Sequence, residues 1–117
     1  MAIPIERMHN SQRMSKIVTH NETIYLCGQV GNRGASIEAQ TTEALSRVDA
    51  LLAEAGSSKK HLLQAVIWLK SMDDFDAMNK IWEAWVPDGA APARACGRVE
   101  MASEELLVEI TIIAAKA

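Results

Sequence analysis

The last quarter of the chain contains side chains that could bind and hydrate a small anion. Arg94 can hold a carboxylate through two parallel hydrogen bonds, which fix both its position and its orientation. Glu109 can orient a water molecule and move its proton, as a general base does. Cys96 stands two residues after the arginine, and we interpret it as a packed small residue in preference to a nucleophile. If the chain is an enzyme, its site is expected here.

Two strands are predicted to position these groups. Residues 92–101 alternate small apolar residues with Arg94, Cys96, Arg98 and Glu100. Residues 106–114 form a second run of period two, in which one face is wholly apolar and the other is made of Leu107, Glu109, Thr111 and Ile113. The short polar break at 102–105 predicts an antiparallel hairpin. Its polar face would place both arginines, the cysteine and Glu109 on one platform.

Length and composition predict one domain over residues 1–117. The hydrophobic content is 49% and charged residues make up 23%, as in folded globular proteins. A net charge of −3 gives no electrostatic reason to expect nucleic-acid binding. The sequence shows neither a signal peptide nor an apolar run that could span a membrane, so we expect a cytoplasmic protein without a structural Cys27–Cys96 disulfide. The three histidines lack metal-ligand spacing, and no metal is expected.

The remaining pattern predicts an α+β fold with a mostly antiparallel sheet and two helices on one face. Strands are predicted over 5–9, 14–20, 23–30 and 61–70, and the second and third form a hairpin at Asn21-Glu22. Helices are predicted from Ser36 to Ala55 and from a capping box at 71–74 to Val86. Because several strands are apolar on both faces and two helices can cover one face only, we expect other copies of the chain to bury the second.

The chain resembles the reactive-intermediate deaminase family (Rid or YjgF type, whose older name is L-PSP endoribonuclease). The resemblance covers nearly the whole chain, and its segments are CGQV at 27–30, AVIWL at 65–69, FDAMN at 75–79, WEAW at 82–85, PARAC at 92–96 and VEI at 108–110. It implies a chorismate-mutase-like fold and a homotrimer whose sheets line a central barrel. It also implies clefts between subunits that hydrolyse reactive enamines and imines, such as 2-aminoacrylate, to 2-oxo acids and ammonia without a metal or other cofactor.

The resemblance assigns roles to individual positions. Arg94 matches the arginine that binds the substrate carboxylate, and Glu109 matches the glutamate that positions or activates water. Further positions near the pocket are Cys96, Gly28, Asn79 and Trp82, together with two where this chain departs from the family pattern, Met14 in place of a tyrosine and Cys27 in place of a small hydroxyl residue. Thr111 also replaces a second acidic residue. These departures concern the range of substrates more than carboxylate binding.

Each role has a structural alternative. Arg94 could pair with a carboxylate of a neighbouring subunit, Glu109 could pair with Arg98 across the predicted hairpin, and Trp82 could belong to the core. In that hairpin Arg94 would lie about 13 Å from Glu109, too far for one small ligand to touch both. Either the cleft joins two subunits, which we favour, or a bulge shortens the distance. The functional alternatives to a deaminase are a non-catalytic module that binds small carboxylates or acts like a chaperone, and a ribonuclease, which the acidic composition disfavours.

Overall fold

The computed structural model describes residues 2–117, which fold into one sheet covered by two helices. The strands are β1 (Ile5–Met8), β2 (Ile17–His20), β3 (Thr23–Leu26), β4 (Gln29–Val30), β5 (Leu62–Leu69), β6 (Ala93–Arg98) and β7 (Val108–Ala115). The helices are α1 (Ile37–Glu54) and α2 (Phe75–Trp85). Short 3₁₀ turns over Lys59–His61 and Met72–Asp74 precede β5 and α2. The predicted α+β class is confirmed.

The sheet has the strand order β1-β2-β3-β7-β5-β6, with the two-residue strand β4 also paired to β7. Within residues 2–117, β5 and β6 pair in parallel and the other pairs are antiparallel. Strand β7 therefore lies in the middle of the sheet, between β3 and β5, and β6 forms an edge. The chain between β5 and β6 passes through α2, as a parallel pair requires.

The hydrophobic core lies between one sheet face and the two helices. Alternate residues of β5 and β7 are buried on that face, as the period of two requires. Helix α1 supplies a stripe at helical spacing, with its buried residues being Ile37, Gln40, Thr41, Ala44, Leu45, Val48 and Leu52. It begins as predicted, because the Ser36 side chain accepts a hydrogen bond from the Ala39 N–H at 3.1 Å. We call this sheet face the helix face and the other the open face.

Gln40 is the polar centre of the core, with no exposed surface. Its Nε2 donates to the carbonyl oxygens of Ala35 and Glu105, each at 2.9 Å, and its Oε1 accepts from the Leu107 N–H at 2.9 Å. These bonds tie the segment before α1 to the segment that leads into β7. Because each partner is a backbone group, the amide satisfies buried polar atoms that the sheet leaves unpaired.

The predicted hairpin between 92–101 and 106–114 is wrong. Strand β5 separates β6 from β7: Trp68 is in register with Gly97 on one side and with Glu109 on the other. The intervening chain turns back at the end of β5, where the Val99 N–H donates to the Leu69 carbonyl and the Lys70 N–H to the Leu107 carbonyl, at 3.0 and 3.1 Å. The backbone groups of β5 thus hold both strands, one on each side.

Three local boundaries also differ from prediction. Strand β2 begins at Ile17, and the predicted strand 23–30 is broken at Cys27 and Gly28 into β3 and β4. The capping box at 71–74 is wrong, because the Ser71 side chain caps the 3₁₀ turn by accepting from the Asp73 N–H, and Asp74 at the start of α2 makes no side-chain cap. The β2–β3 hairpin is confirmed, with Asn21 in its turn at a φ of 59°. Neither helix is long and apolar enough to cross a membrane, over the residues described.

Candidate functional site

Arg94 is held on the helix face by side chains of α2. Its Nη1 donates to Oδ1 of Asn79 at 2.7 Å. The guanidinium carbon lies over two aromatic rings, 5.9 Å from the centroid of Phe75 and 5.7 Å from that of Trp82, within the range of cation–π attraction. We call Arg94, these three residues and Cys96 the arginine half-site.

The spacing of residues along α2 and β6 explains this cluster. Phe75, Asn79 and Trp82 stand at i, i+4 and i+7, so they form one stripe along the helix. Arg94 is in register with Ala65, which is fully buried on the helix face, so the arginine side chain leaves the edge strand toward α2. The helical spacing on α2 and the face on which Arg94 lies together explain why these three side chains contact the arginine.

Cys96 belongs to the same face, in register with the buried Ile67, and is partly buried. Burial raises the pKa of its thiol, and the positive charge of Arg94 offsets the rise in part. A thiol with a raised pKa is protonated near neutral pH and is a poor nucleophile. This supports the interpretation of Cys96 as a packing residue beside the arginine.

Glu109 lies on the open face, next to Gly28. A side-chain carbon added at Gly28 would stand 2.5 Å from Glu109 Oε2, so a larger residue here would push the carboxylate out of its present position. Cys27 precedes that glycine, and Gln29 Nε2 donates to both the carbonyl oxygen and Sγ of Cys27, each at 3.2 Å. We call Glu109, Gly28, Cys27 and Gln29 the glutamate half-site.

The two half-sites lie on opposite faces of the sheet in one chain. Arg94 is in register with Ala65 and Ile112 on the helix face, whereas Glu109 is in register with Trp68 on the open face. The Cα atoms of Arg94 and Glu109 are two strand spacings apart across the sheet and three residues apart along the strands, a separation of about 14 Å. The predicted single platform is therefore wrong, and so is the alternative pairing of Glu109 with Arg98, because β5 lies between their strands.

Met14 makes no hydrogen bond to either half-site, and it lies outside the paired strands. It lies in the loop between β1 and β2 and is 51% exposed, with its carbonyl accepting from the Ser11 N–H at 2.7 Å. Two residues later, the Lys16 carbonyl accepts from the Cys27 N–H at 3.0 Å, so this loop borders the glutamate half-site. Its predicted place in a pocket stays a prediction.

Sequence reasoning missed two members of these clusters. Phe75 was given no role at the site, although its helical spacing from Asn79 and Trp82 could have predicted a shared partner. Gln29 was noted only as part of the CGQV segment, because its hydrogen bonds to Cys27 depend on the break of the strand at Cys27 and Gly28. Both cysteines are free, and within residues 2–117 no three metal-binding side chains cluster.

Comparison with known proteins identifies the family. The family model described as endoribonuclease L-PSP matches residues 4–116. The chain belongs to this family. Among relatives, the RutC family protein YoaB of Escherichia coli strain K12 is 40% identical over 111 residues, which cover 95% of this chain and 97% of that protein. A RutC family protein of Haemophilus influenzae is 38% identical over 112 residues, covering 94% and 97%.

Solved structures of similar sequence have the same fold. A YjgF family protein from Neisseria meningitidis superimposes with a TM-score of 0.96 at 41% identity, covering 100% of this chain and 98% of that one. A Pseudomonas aeruginosa protein gives a TM-score of 0.93 at 33% identity, covering 97% and 100%. The resemblance found in the sequence is thus confirmed at the level of family and fold.

The raised thiol pKa leads to a prediction for Cys96. In a Cys27→Ser background, the pH midpoint for alkylation of Cys96 by iodoacetamide should lie above that of an ordinary cysteine. Arg94→Ala should move the midpoint to still higher pH, because the thiolate loses a neighbouring positive charge. Arg98→Ala, on the same strand, is the control and should leave the midpoint in place. A midpoint below that of a model thiol would contradict this account.

Proposed function

We propose that this protein hydrolyses reactive 2-enamine and 2-imino acids, such as 2-aminoacrylate, to 2-oxo acids and ammonia. The site would be a cleft between subunits that combines the arginine half-site of one chain with the glutamate half-site of another. Family membership is consistent with this activity, and the two half-sites supply the groups that it needs. No cofactor is proposed for the reaction.

The observation that carries the proposal is an oriented arginine that no carboxylate within residues 2–117 neutralises. Arg94 is exposed, fixed by Asn79 and backed by two aromatic rings. The ion pairs within residues 2–117, His9 with Glu54 and Lys70 with Glu104, do not include it. A guanidinium in this state is suited to receive the carboxylate of a small ligand through paired hydrogen bonds.

The chemistry then needs a water molecule at the imine carbon. Glu109 would orient that water and accept a proton as the water oxygen bonds to C2 and the C=N electron pair moves to nitrogen. The proton is returned to nitrogen, which gives a carbinolamine. Glu109 would then move the carbinolamine hydroxyl proton to nitrogen, so that the C2–O double bond forms as the C–N bond breaks, and ammonia and a 2-oxo acid leave. Holding both reactants in place can contribute a large part of the rate without a covalent intermediate. Cys96 has no step in this scheme, in keeping with its raised thiol pKa.

The geometry of one chain is why a shared cleft is proposed. Arg94 and Glu109 lie on opposite faces about 14 Å apart, so one small ligand reaches both only if they come from different copies. The open face also exposes apolar side chains, with Tyr25 44% and Trp68 37% exposed and Val66 and Ile113 partly so. Packing of these faces against one another in a closed ring would bury them. We propose a homotrimer with the open faces lining a central barrel.

A second candidate function is binding of small carboxylates without turnover, in a sensor or chaperone-like role. The same arginine half-site supports it, because recognition needs Arg94 alone and catalysis needs Glu109 as well. The ribonuclease activity named in the family's description has less support in this chain, whose net charge of −3 is unfavourable for contact with a phosphate backbone.

Substitution of Arg94 tests the proposed activity. With 2-aminoacrylate generated in situ by a serine dehydratase, the wild-type protein should accelerate formation of pyruvate and ammonia above the spontaneous rate. Arg94→Ala should abolish the acceleration, and Arg94→Lys should restore little because a point charge lacks the paired geometry. Arg98→Ala, an exposed arginine on the same strand, should remain active.

Three results would count against the proposal. Full activity of Arg94→Ala would show that the site assignment is wrong. Dissociation of that variant into monomers would favour a structural ion pair between subunits. A wild-type protein that binds 2-oxo acids yet accelerates nothing would favour the non-catalytic function.

The proposed oligomer has a simple test in solution. Light scattering at micromolar concentration should give about 38 kDa, three times the 12.8 kDa chain. Trp68→Asp places a charge in the middle of the open face and should lower this mass, whereas Thr42→Asp on the exposed surface of α1 should not. A stable wild-type monomer would contradict both the trimer and the shared cleft.

A further inference from the structure

We propose that Asn79 is a positioning residue whose neutral amide fixes Arg94 while leaving its positive charge free for the ligand. The family resemblance predicts that Asn79 lies near the pocket, and in the structure its Oδ1 accepts a hydrogen bond from Arg94 Nη1. The inference rests on the carboxylate-binding part of the proposed function and is independent of the hydrolytic step.

The contacts of Arg94 divide into one hydrogen bond and two apolar surfaces. A guanidinium has five N–H donors in a rigid fork, and the bond to Asn79 Oδ1 uses one of the two on Nη1. Phe75 and Trp82 contact the arginine through their rings and accept no hydrogen bond from it. The described contacts therefore restrict the orientation of the fork and leave most of its donors for a ligand.

The charge at position 79 decides what the fork can bind. An aspartate there would offer an oxygen at nearly the same place, so it would also hold the arginine, but it would form an ion pair with it. Acidic residues are close by in sequence, Asp76 and Glu83, yet both are exposed and neither pairs with Arg94. The stripe that faces Arg94 combines a neutral acceptor with two aromatic rings, which keeps one uncompensated positive charge at this site.

This arrangement predicts a preference for anions over neutral ligands of the same shape. A bound carboxylate forms hydrogen bonds with the free N–H groups in which both partners are charged, whereas an amide accepts from the cation as a neutral group and presents its own donors to a group that has no acceptor. Pyruvate and its primary amide, pyruvamide, differ in this respect alone. Their ratio of affinities therefore measures how much of the arginine charge is available.

The experiment compares Asn79→Asp with Asn79→Ala by NMR titration of pyruvate and pyruvamide. Asn79→Ala loses the restraint but keeps the charge, and pyruvate affinity should fall by about fivefold, the cost of ordering one unrestrained side chain on binding. Asn79→Asp keeps the restraint but neutralises the charge, and pyruvate affinity should fall by about tenfold or more, as for the loss of a charge-assisted bond. Pyruvamide affinity should change little in Asn79→Asp.

Lys80→Gln is the matched control, because it changes the net charge by the same amount at the next residue of α2, which is exposed. It should leave both affinities as in the wild type. Wild-type affinity for pyruvate in Asn79→Asp would overturn the proposal, because the charge at position 79 would then not matter. Equal losses of affinity for pyruvate and pyruvamide in Asn79→Asp would also overturn it, since they indicate a general distortion of the site.

The wild-type titration separates this proposal from the proposed function. If the wild type binds pyruvate more tightly than pyruvamide and the variants behave as predicted, but the wild type hydrolyses no imine, the role of Asn79 stands and the deaminase activity fails. If the wild type shows no preference for pyruvate, Arg94 is not an open anion site and the inference about Asn79 is wrong.

Discussion

The parallel pairing of β6 with β5 determines how this molecule can work. It places β6 on the edge of the sheet beside α2, so that Arg94 leaves the strand toward the helix and meets Asn79 and two aromatic rings. It also lets β7 occupy the other side of β5, with Glu109 directed to the open face. A hairpin of β6 with β7 would have put the two groups on one surface. The observed pairing places the arginine half-site and the glutamate half-site on opposite faces of each chain.

Short-range patterns predicted most of the elements, because period and capping are local properties. The spacing of apolar residues gave both helices, Ser36 gave the start of α1, and Asn21 gave the turn of the first hairpin. Strand partners are not local. The break at 102–105 looked like a tight turn, but residues 99–107 instead bond to both sides of β5 at its end, through Leu69 and Lys70.

One feature of the sequence did favour the observed topology. Residues 106–114 and 61–70 are apolar on both faces, which is typical of strands in the middle of a sheet, whereas 92–101 carries small and charged residues, as edge strands do. The candidate site was predicted at the level of residue types, and Arg94, Cys96 and Asn79 do come together. Their separation from Glu109 depends on which strand lies between them, and no periodicity within a segment contains that information.

The central claim is that a working site takes Arg94 from one chain and Glu109 from another, and subunit mixing tests it most directly. Arg94→Ala and Glu109→Gln proteins, each with little or no activity alone, are unfolded together and refolded in equal amounts. A shared cleft predicts that about a quarter of the clefts in a randomly mixed closed trimer regain both groups, and activity returns in that proportion. If the mixture is no more active than its separate components, although mass analysis shows mixed trimers, both residues act within one chain and the account is contradicted.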